Sequence, residues 1–253
     1  MYTLKKSLGQ HFLHDENVCL KIVEQLGVKP GINILEVGPG GGAITKYLKE
    51  IEGANYLAIE VDTEKVTYLE KTYPELKGKI LNQDILKAGL PFQTEFSLIG
   101  NFPYNISSQI LFKVLEWEPL VTETIGMFQK EVAQRVATGP GSKTYGILSI
   151  LMQAFFKVEY LFEVHENCFT PPPKVKSGVL RFTNLKNPYN INDKRKFMIL
   201  VKAGFNQRRK TLRNALKSVV PPSALTDPLM DKRAEQLSVS DFVGLYERYL
   251  NEK

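Results

Sequence analysis

Cysteine, histidine and tryptophan are scarce: the 253 residues include two cysteines, three histidines and one tryptophan. The cysteines, Cys19 and Cys168, show no metal-ligand spacing, so the sequence predicts no metal site. Two isolated thiols are typical of a reduced, cytoplasmic protein rather than of a disulfide scaffold.

Long hydrophobic runs are also missing, because no stretch approaches the roughly 20 apolar residues that a membrane helix needs. The N-terminus is basic but lacks the apolar core of a targeting peptide. The composition, 43% hydrophobic and 24% charged, is ordinary for a globular protein. We expect a cytoplasmic protein with no membrane segment, long enough for one large domain or a domain with an appendage.

The net charge of +6 is concentrated near the C-terminus, where residues 186–253 hold 14 Lys and Arg against 7 Asp and Glu. Just before it, residues 183–192 are rich in Asn and contain a proline, which favours a boundary. We therefore predict a domain of residues 1–185 and a basic domain of residues 186–253 that faces a polyanion. A basic surface that only aids solubility is the alternative that charge alone leaves open.

A glycine turn follows the first apolar run. Residues 32–37 predict a buried parallel strand, and Gly38 and Gly40 come directly after it, ahead of a helical pattern. Glycines let the backbone approach a ligand closely, and the order strand, glycine turn, helix is typical of a nucleotide cofactor site.

Acidic side chains end the next two predicted strands. Residues 56–59 lead into Glu60, and residues 79–81 lead to Asp84. An acid after the second strand can bind both ribose hydroxyls of an adenosine, and Asp84 is placed to accept from an adenine amine. NAD and S-adenosylmethionine both fit this pattern, and the acid after the third strand favours S-adenosylmethionine. No P-loop lysine follows the glycines, which argues against nucleotide hydrolysis.

The four residues Asn101-Phe102-Pro103-Tyr104 follow a predicted strand, residues 96–100, and precede a predicted helix. Oxygens of Asn101 and Phe102 can each accept one hydrogen of an adenine N6 amine, which favours the pyramidal nitrogen that attacks a methyl group. The proline fixes the backbone beforehand, and Tyr104 offers a face for a flipped base. An ordinary turn is the alternative, since Asn-x-Pro marks many loops.

The remaining patterns predict a helix for Ser107–Glu116, another for Lys130–Ala137, and a late strand for Phe156–Val164. With the earlier strands they indicate an α/β, Rossmann-like sheet followed by a small all-α domain. Three prolines after Phe169 hold that segment extended near the carboxyl edge of the sheet. Phe169 is either the second face of a base sandwich or a core residue, and the sequence favours neither.

Basic residues are dense in the segment 205–217. Arg209, Arg213 and Lys217 are spaced i, i+4, which predicts a basic stripe on one helix face, beside Arg208. A solvated face is the common explanation of such a stripe, but the charge distribution favours nucleic acid. At the other end, Lys5, Lys6 and His11 either contact RNA, close over a cofactor, or belong to a frayed arm.

Together these motifs resemble the ribosomal RNA adenine N6,N6-dimethyltransferases that modify two adjacent adenosines near the 3′ end of small-subunit (16S) rRNA. The resemblance spans nearly the whole chain and is carried by these segments: residues 9–13, 36–40, 82–84, 100–107, 169–175 and 205–216. Phe102 stands where the family usually has Leu, and Gly41-Gly42 replace a common Leu-Gly. The arginine-rich segment is more similar to this group than to the large-subunit antibiotic-resistance methyltransferases.

The resemblance implies a role for several residues. The implied S-adenosylmethionine contacts are His11, Leu13, Gly38, Gly40, Glu60, Asp84 and Asn101. Asn101 to Tyr104 are the implied target-base site, and the implied substrate is small-subunit rRNA in a 30S pre-ribosomal particle. We expect the protein to be a monomer. Two rival functions are a DNA adenine methyltransferase with the same turn and an assembly factor without catalysis. The intact Glu60, Asp84 and Asn101 argue against the second.

Overall fold

The computed structural model describes residues 11–251 of the chain. Lys5, Lys6 and residues 9–10, which the sequence analysis singles out, lie outside the described residues. Within residues 11–251 the chain forms nine strands and nine α-helices. The strands are β1 (Phe12–Leu13), β2 (Asn33–Val37), β3 (Asn55–Glu60), β4 (Ile80–Asn82), β5 (Phe96–Asn101), β6 (Val121–Gln129), β7 (Phe156–Val164), β8 (Phe169–Thr170) and β9 (Ser177–Asn184). The helices are α1 (Glu16–Val23), α2 (Thr45–Leu48), α3 (Thr63–Thr72), α4 (Ser107–Glu116), α5 (Lys130–Ala137), α6 (Ile147–Phe155), α7 (Lys194–Asn206), α8 (Leu212–Ala215) and α9 (Val239–Tyr249).

The main sheet has seven strands in the order β4-β3-β2-β5-β6-β9-β7. Its first five strands are parallel, and β9 is antiparallel to β6. The chain runs outward from β2 to β4 and then crosses back to β5 on the other side of β2. This reversal is the point where open α/β sheets bind ligands, at the carboxyl ends of their strands. The predicted Rossmann-like sheet is confirmed.

The central strands are apolar because they are covered on both faces. In β2, Ile34, Leu35 and Val37 are all buried. Residues of α1, α2 and α3 join Ile34 in one apolar core. Helix α1 begins after Asp15, whose side chain caps it by accepting a hydrogen bond from the Val18 backbone N–H at 3.1 Å. This packing holds the ends of β2 and β3 in fixed positions.

The described residues form two compact units: residues 11–133 with Glu159–Asn184, and Gln134–Val158 with residues 185–251. The sequence predicts a domain boundary after residue 185, and one boundary between the two units in the structure follows Asn184. The sequence assigns residues 134–158 to the sheet domain. The structure instead groups this segment with the C-terminal helices. Part of the physical reason is aromatic packing, because Phe155 of α6 contacts Phe197 of α7 edge-on at 6.5 Å between ring centroids.

The predicted continuous helix across 205–217 is wrong. Helix α7 ends at Asn206, residues 207–210 form a turn, and the short α8 begins at Leu212. The Leu212 N–H donates to the Lys232 carbonyl at 2.8 Å instead of to a carbonyl one helical turn back. Like charges spaced i, i+4 also disfavour a continuous helix. The predicted basic stripe on a single helix face therefore does not exist, although Leu212 is buried as expected.

Among the described helices, none has the length and apolar character required to cross a membrane.

Candidate active site

A cleft lies at the carboxyl ends of β2, β3 and β5, where the order of the parallel strands reverses. All seven residues that the sequence analysis assigns to the cofactor border this cleft, as does the turn after β5: His11, Leu13, Gly38, Gly40, Glu60, Asp84, and Asn101 to Tyr104. Residues far apart in the sequence are thus brought to one place by the strand topology.

The glycine turn after β2 needs its glycines. Gly38 and Gly40 have φ of 69° and 58°, a left-handed region that glycine adopts without the cost that a side chain adds. The Gly38 N–H donates to the Ile59 carbonyl at 2.9 Å, which ties the turn to the end of β3.

Glu60 is held by two backbone donors. Its Oε2 accepts from the Gly40 N–H and its Oε1 from the Asp62 N–H, each at 3.0 Å. A carboxylate offers about four lone-pair sites, so each oxygen retains one for a ribose hydroxyl. The side chain is only 5% exposed, and its orientation is therefore set before a ligand arrives. At the neighbouring strand end, Asp84 Oδ1 accepts from the Leu86 N–H at 2.9 Å.

Glu36 is a cleft residue that the sequence analysis does not assign a role. It is 1% exposed, and its Oε2 accepts from the hydroxyl groups of Thr45 and Tyr56. Its Oε1 is buried and has no hydrogen-bond partner in the described part of the chain. Burial raises the pKa of this carboxyl to about 7. Its position at the end of a buried strand, just before the glycines, is the signal that could have identified it.

The Glu36 Oε1, which is unpaired among the described residues, indicates which kind of ligand the cleft fits. A buried carboxyl with an unused acceptor favours a cationic ligand, and S-adenosylmethionine carries both a sulfonium and an ammonium group. Glu60 supplies acceptors for ribose hydroxyls and Asp84 supplies one for an adenine amine. The residues present therefore fit this cofactor.

The buried side chain of Phe102 anchors the turn after β5. Its ring is 1% exposed and packs edge-on against Phe128 at 5.2 Å between centroids. Glycines make room for it, since a Cβ at Gly100 would lie 2.7 Å from the Phe102 ring and one at Gly126 would lie 2.5 Å from it. The anchored side chain holds the Phe102 backbone, and with it the carbonyl that the sequence analysis assigns as an acceptor.

The flanking residues of this turn are also held in place. The Asn101 Nδ2 donates to the His11 carbonyl at 3.3 Å, so the amide oxygen is the branch available as an acceptor. The Tyr104 hydroxyl hydrogen-bonds the buried Ser177 Oγ at 2.5 Å. Ser177 has no sequence signal, because β9 begins far from the turn along the chain.

The N-terminal arm is tied to the segment before the prolines. Strands β1 and β8 pair antiparallel, with Phe12 opposite Thr170 and Leu13 opposite Phe169. Leu13 and Phe169 are both buried in the apolar core. Of the two alternatives for Phe169, the structure shows the core residue, so its assignment as a base-stacking face is corrected. The buried Phe169 ring packs in the core and helps to hold the N-terminal arm beside the cleft.

The predicted RNA-binding cations lie in the other unit and differ in their surroundings. Arg208 donates to the Ser142 carbonyl at 3.3 Å and lies 3.9 Å from the Glu235 carboxylate. Arg213 pairs with Asp231 at 2.6 Å. All four side chains are exposed, and Arg208 and Arg213 pair with acids of their own unit.

In the described residues there is no group of three or more His, Cys, Asp or Glu side chains arranged to hold a metal ion.

A parallel sheet that reverses at β2, a glycine turn, and acids at the next two strand ends define a Rossmann-like enzyme with a nucleoside-containing cofactor. Comparisons with known proteins identify one family. The model of the ribosomal RNA adenine dimethylase family matches residues 1–251, and the chain belongs to this family. A dimethylase of this kind takes its methyl groups from S-adenosylmethionine, the cofactor that the cleft fits.

Two curated relatives carry the name ribosomal RNA small subunit methyltransferase A. The protein from Cytophaga hutchinsonii is 50% identical over 245 residues, covering 95% of each chain. That from Flavobacterium johnsoniae is 51% identical over 249 residues, covering 96% of this chain and 95% of its own.

Two solved structures share the fold. A dimethyladenosine transferase from Plasmodium falciparum superposes with a TM-score of 0.79 at 25% identity, over 94% of this chain and 97% of its own. The 23S rRNA methyltransferase ErmE superposes with a TM-score of 0.71 at 24% identity, over 94% of this chain and 98% of its own. The second likeness concerns the fold alone.

Proposed function

We propose that this chain dimethylates N6 of two adjacent adenosines near the 3′ end of small-subunit rRNA, in a 30S pre-ribosomal particle. Two adenosines with two methyl groups each require four transfers. The names of the curated relatives support the small subunit as the source of the substrate. We further propose that the protein acts as a monomer in the cytoplasm.

The observation that carries this proposal is the position of the Asn101-Phe102-Pro103-Tyr104 turn. It borders the same cleft as Gly38, Glu60 and Asp84. A methyl-acceptor site must lie within reach of the cofactor's reactive group, and here both sets of residues share one cavity. The carboxyl end of β5 brings them together, next to the end of β2.

Two oxygens of the turn act on the target amine. The N6 lone pair of adenine is conjugated with the ring, so the amine is a weak nucleophile. The Asn101 side-chain oxygen and the Phe102 carbonyl each accept one N6 hydrogen, which favours the pyramidal amine. Because the buried Phe102 ring and the proline fix these acceptors, little reorganisation is needed when the base arrives.

The other cleft residues hold the two reactants. Glu60 binds the ribose hydroxyls and Asp84 the adenine amine of the cofactor, while Tyr104 stacks on the flipped target base. S-adenosylmethionine supplies an electrophilic methyl group on a sulfonium. The alkylated amine is acidic and loses its proton readily, so the site needs no strong general base.

The exposed Arg209 and Lys217 are the cations that we propose to contact RNA phosphates. Arg208 and Arg213 pair with Glu235 and Asp231 in the same unit. Because phosphate contacts displace counterions, binding through this surface weakens as salt rises.

The proposal is tested by incubating the protein with labelled S-adenosylmethionine and three substrates in parallel: unmethylated 30S particles, naked rRNA and duplex DNA. We expect label in the particles, on adjacent adenosines near the rRNA 3′ end. Preferential labelling of duplex DNA contradicts the proposal, as does an absence of label from all three. Glu60→Ala is the control that shows whether the label depends on cofactor binding. We expect this variant to bind S-adenosylmethionine more weakly by about 1.5–3 kcal/mol.

A further inference from the structure

The ring of His11 lies on the ring of Tyr104, with 5.4 Å between the centroids and 30° between the planes. The His11 Nδ1 is also 2.8 Å from the Pro171 carbonyl oxygen. Tyr104 is the residue that offers its face to the target base. In this structure, therefore, a side chain of the protein itself stacks on that residue.

The arrangement leaves no space for a third aromatic ring between the two, since 5.4 Å is already an ordinary stacked-pair distance. Like adenine, imidazole is a flat heteroaromatic ring with nitrogens that hydrogen-bond a carbonyl. We infer that the His11 ring holds the place of the target base on Tyr104 in the RNA-free enzyme and rotates away when the base enters. This inference rests on the proposed function, which makes an adenosine the substrate.

Only the His11 side chain needs to move. The next two residues are fixed, because Phe12 pairs with Thr170 and Leu13 is buried opposite Phe169. The ring of His11 is half-exposed. Its rotation costs one ring contact and one hydrogen bond and disturbs no core side chain.

The acceptor geometry is preserved during this rotation. The Asn101 Nδ2 bonds the backbone carbonyl of His11 and not its ring, so the Asn101 oxygen keeps its orientation. The Tyr104 hydroxyl stays on Ser177. Rotation of the His11 ring therefore opens the face of Tyr104 to the base and leaves Asn101 and Tyr104 in place.

Displacing the His11 ring costs the same free energy whichever base enters. The ring therefore lowers the affinity of the site for every base and leaves its preference among bases unchanged.

The test is single-turnover methylation of unmethylated 30S particles at saturating S-adenosylmethionine, over a range of particle concentrations. We expect His11→Ala to lower the half-saturating particle concentration about 2- to 10-fold, the worth of one stacked ring pair. His11→Phe keeps a ring on Tyr104 and should stay closer to the wild type. The effect of His11→Ala should vanish in a Tyr104→Ala background.

A half-saturating concentration that is unchanged or raised in His11→Ala overturns the inference, as does a gain that persists without Tyr104. A short RNA with 2-aminopurine at the target position separates this result from the proposed function, because its fluorescence reports stacking without methyl transfer. Tighter binding of this RNA by His11→Ala supports the inference even if particles are not methylated. Equal or weaker binding rejects it. The thermal midpoint of each variant verifies folding, and calorimetry sets the S-adenosylmethionine concentration that saturates each variant.

Discussion

At the scale of single residues, the buried carboxyl of Glu36 connects the fold to the cofactor. Burial raises its pKa to about 7, and one of its oxygens is a buried atom without a described partner. A cation bound beside it favours the ionised form and lowers this pKa again. Binding of S-adenosylmethionine below about pH 7 must then release a proton.

We therefore predict that S-adenosylmethionine affinity falls as the pH is lowered from 8 to 6, and that Glu36→Gln flattens this dependence. Calorimetry at several pH values in buffers of different ionisation enthalpy measures both affinity and proton release. An affinity that is independent of pH in the wild type contradicts the role of Glu36.

The same residue has a consequence for stability. Its folded-state pKa of about 7 lies above the ordinary value of 4.5, so the unfolded chain loses this proton first as pH rises. The contribution of Glu36 to the free energy of unfolding is fully present below about pH 4.5. It is lost as the pH rises from about 4.5 to about 7. Glu36→Gln should remove this part of the pH dependence, measured as the free energy of unfolding in urea.

Gly126 tests the support of the acceptor turn. An added Cβ would lie 2.5 Å from the Phe102 ring and 2.6 Å from the Phe128 ring. We predict that Gly126→Ala costs roughly 1–3 kcal/mol of stability and lowers the methylation rate more than it lowers cofactor affinity, because the Phe102 carbonyl is shifted. Gly139→Ala is the matched control, since a Cβ there meets nothing within 4 Å. Equal rates for both variants would disprove the anchoring role of Phe102.

At the scale of elements, local patterns predicted much of the structure. The bounds of α4, α5 and β7 are those predicted from periodicity. Periodicity could not reveal the break between α7 and α8, because buried Phe205 and Leu212 lie seven residues apart and would share a face of a continuous helix. The break is made by the hydrogen bond from Leu212 to Lys232, which is remote in sequence.

The turn after α7 and the turn after α8 carry the cations that we propose for RNA, Arg209 and Lys217. We predict that Arg209→Glu with Lys217→Glu weakens particle binding and flattens its dependence on salt, leaving S-adenosylmethionine affinity unchanged. Arg213 is left intact because it pairs with Asp231. Arg195→Glu, an exposed residue near the start of α7, is the control and should lose less. A wild-type salt slope in the double variant would show that these side chains only face solvent.

At the scale of the whole molecule, motifs at strand ends were predictable because parallel strands place their carboxyl ends at one edge. Glu60, Asp84 and Asn101 were found in this way, and all border the cleft. Contacts across long sequence distances were not predictable. They include the bond of Tyr104 to Ser177 and the grouping of 134–158 with the C-terminal helices, which depend on packing that no local pattern encodes.

The central claim is that the turn after β5 activates the target amine, and Asn101→Ala tests it most directly. The measurement is single-turnover methylation of 30S particles at saturating S-adenosylmethionine, with mono- and dimethyladenosine scored separately. Loss of one preorganised acceptor should lower the rate about 10²- to 10³-fold, and saturating cofactor should not restore it. A rate near the wild type would contradict the account.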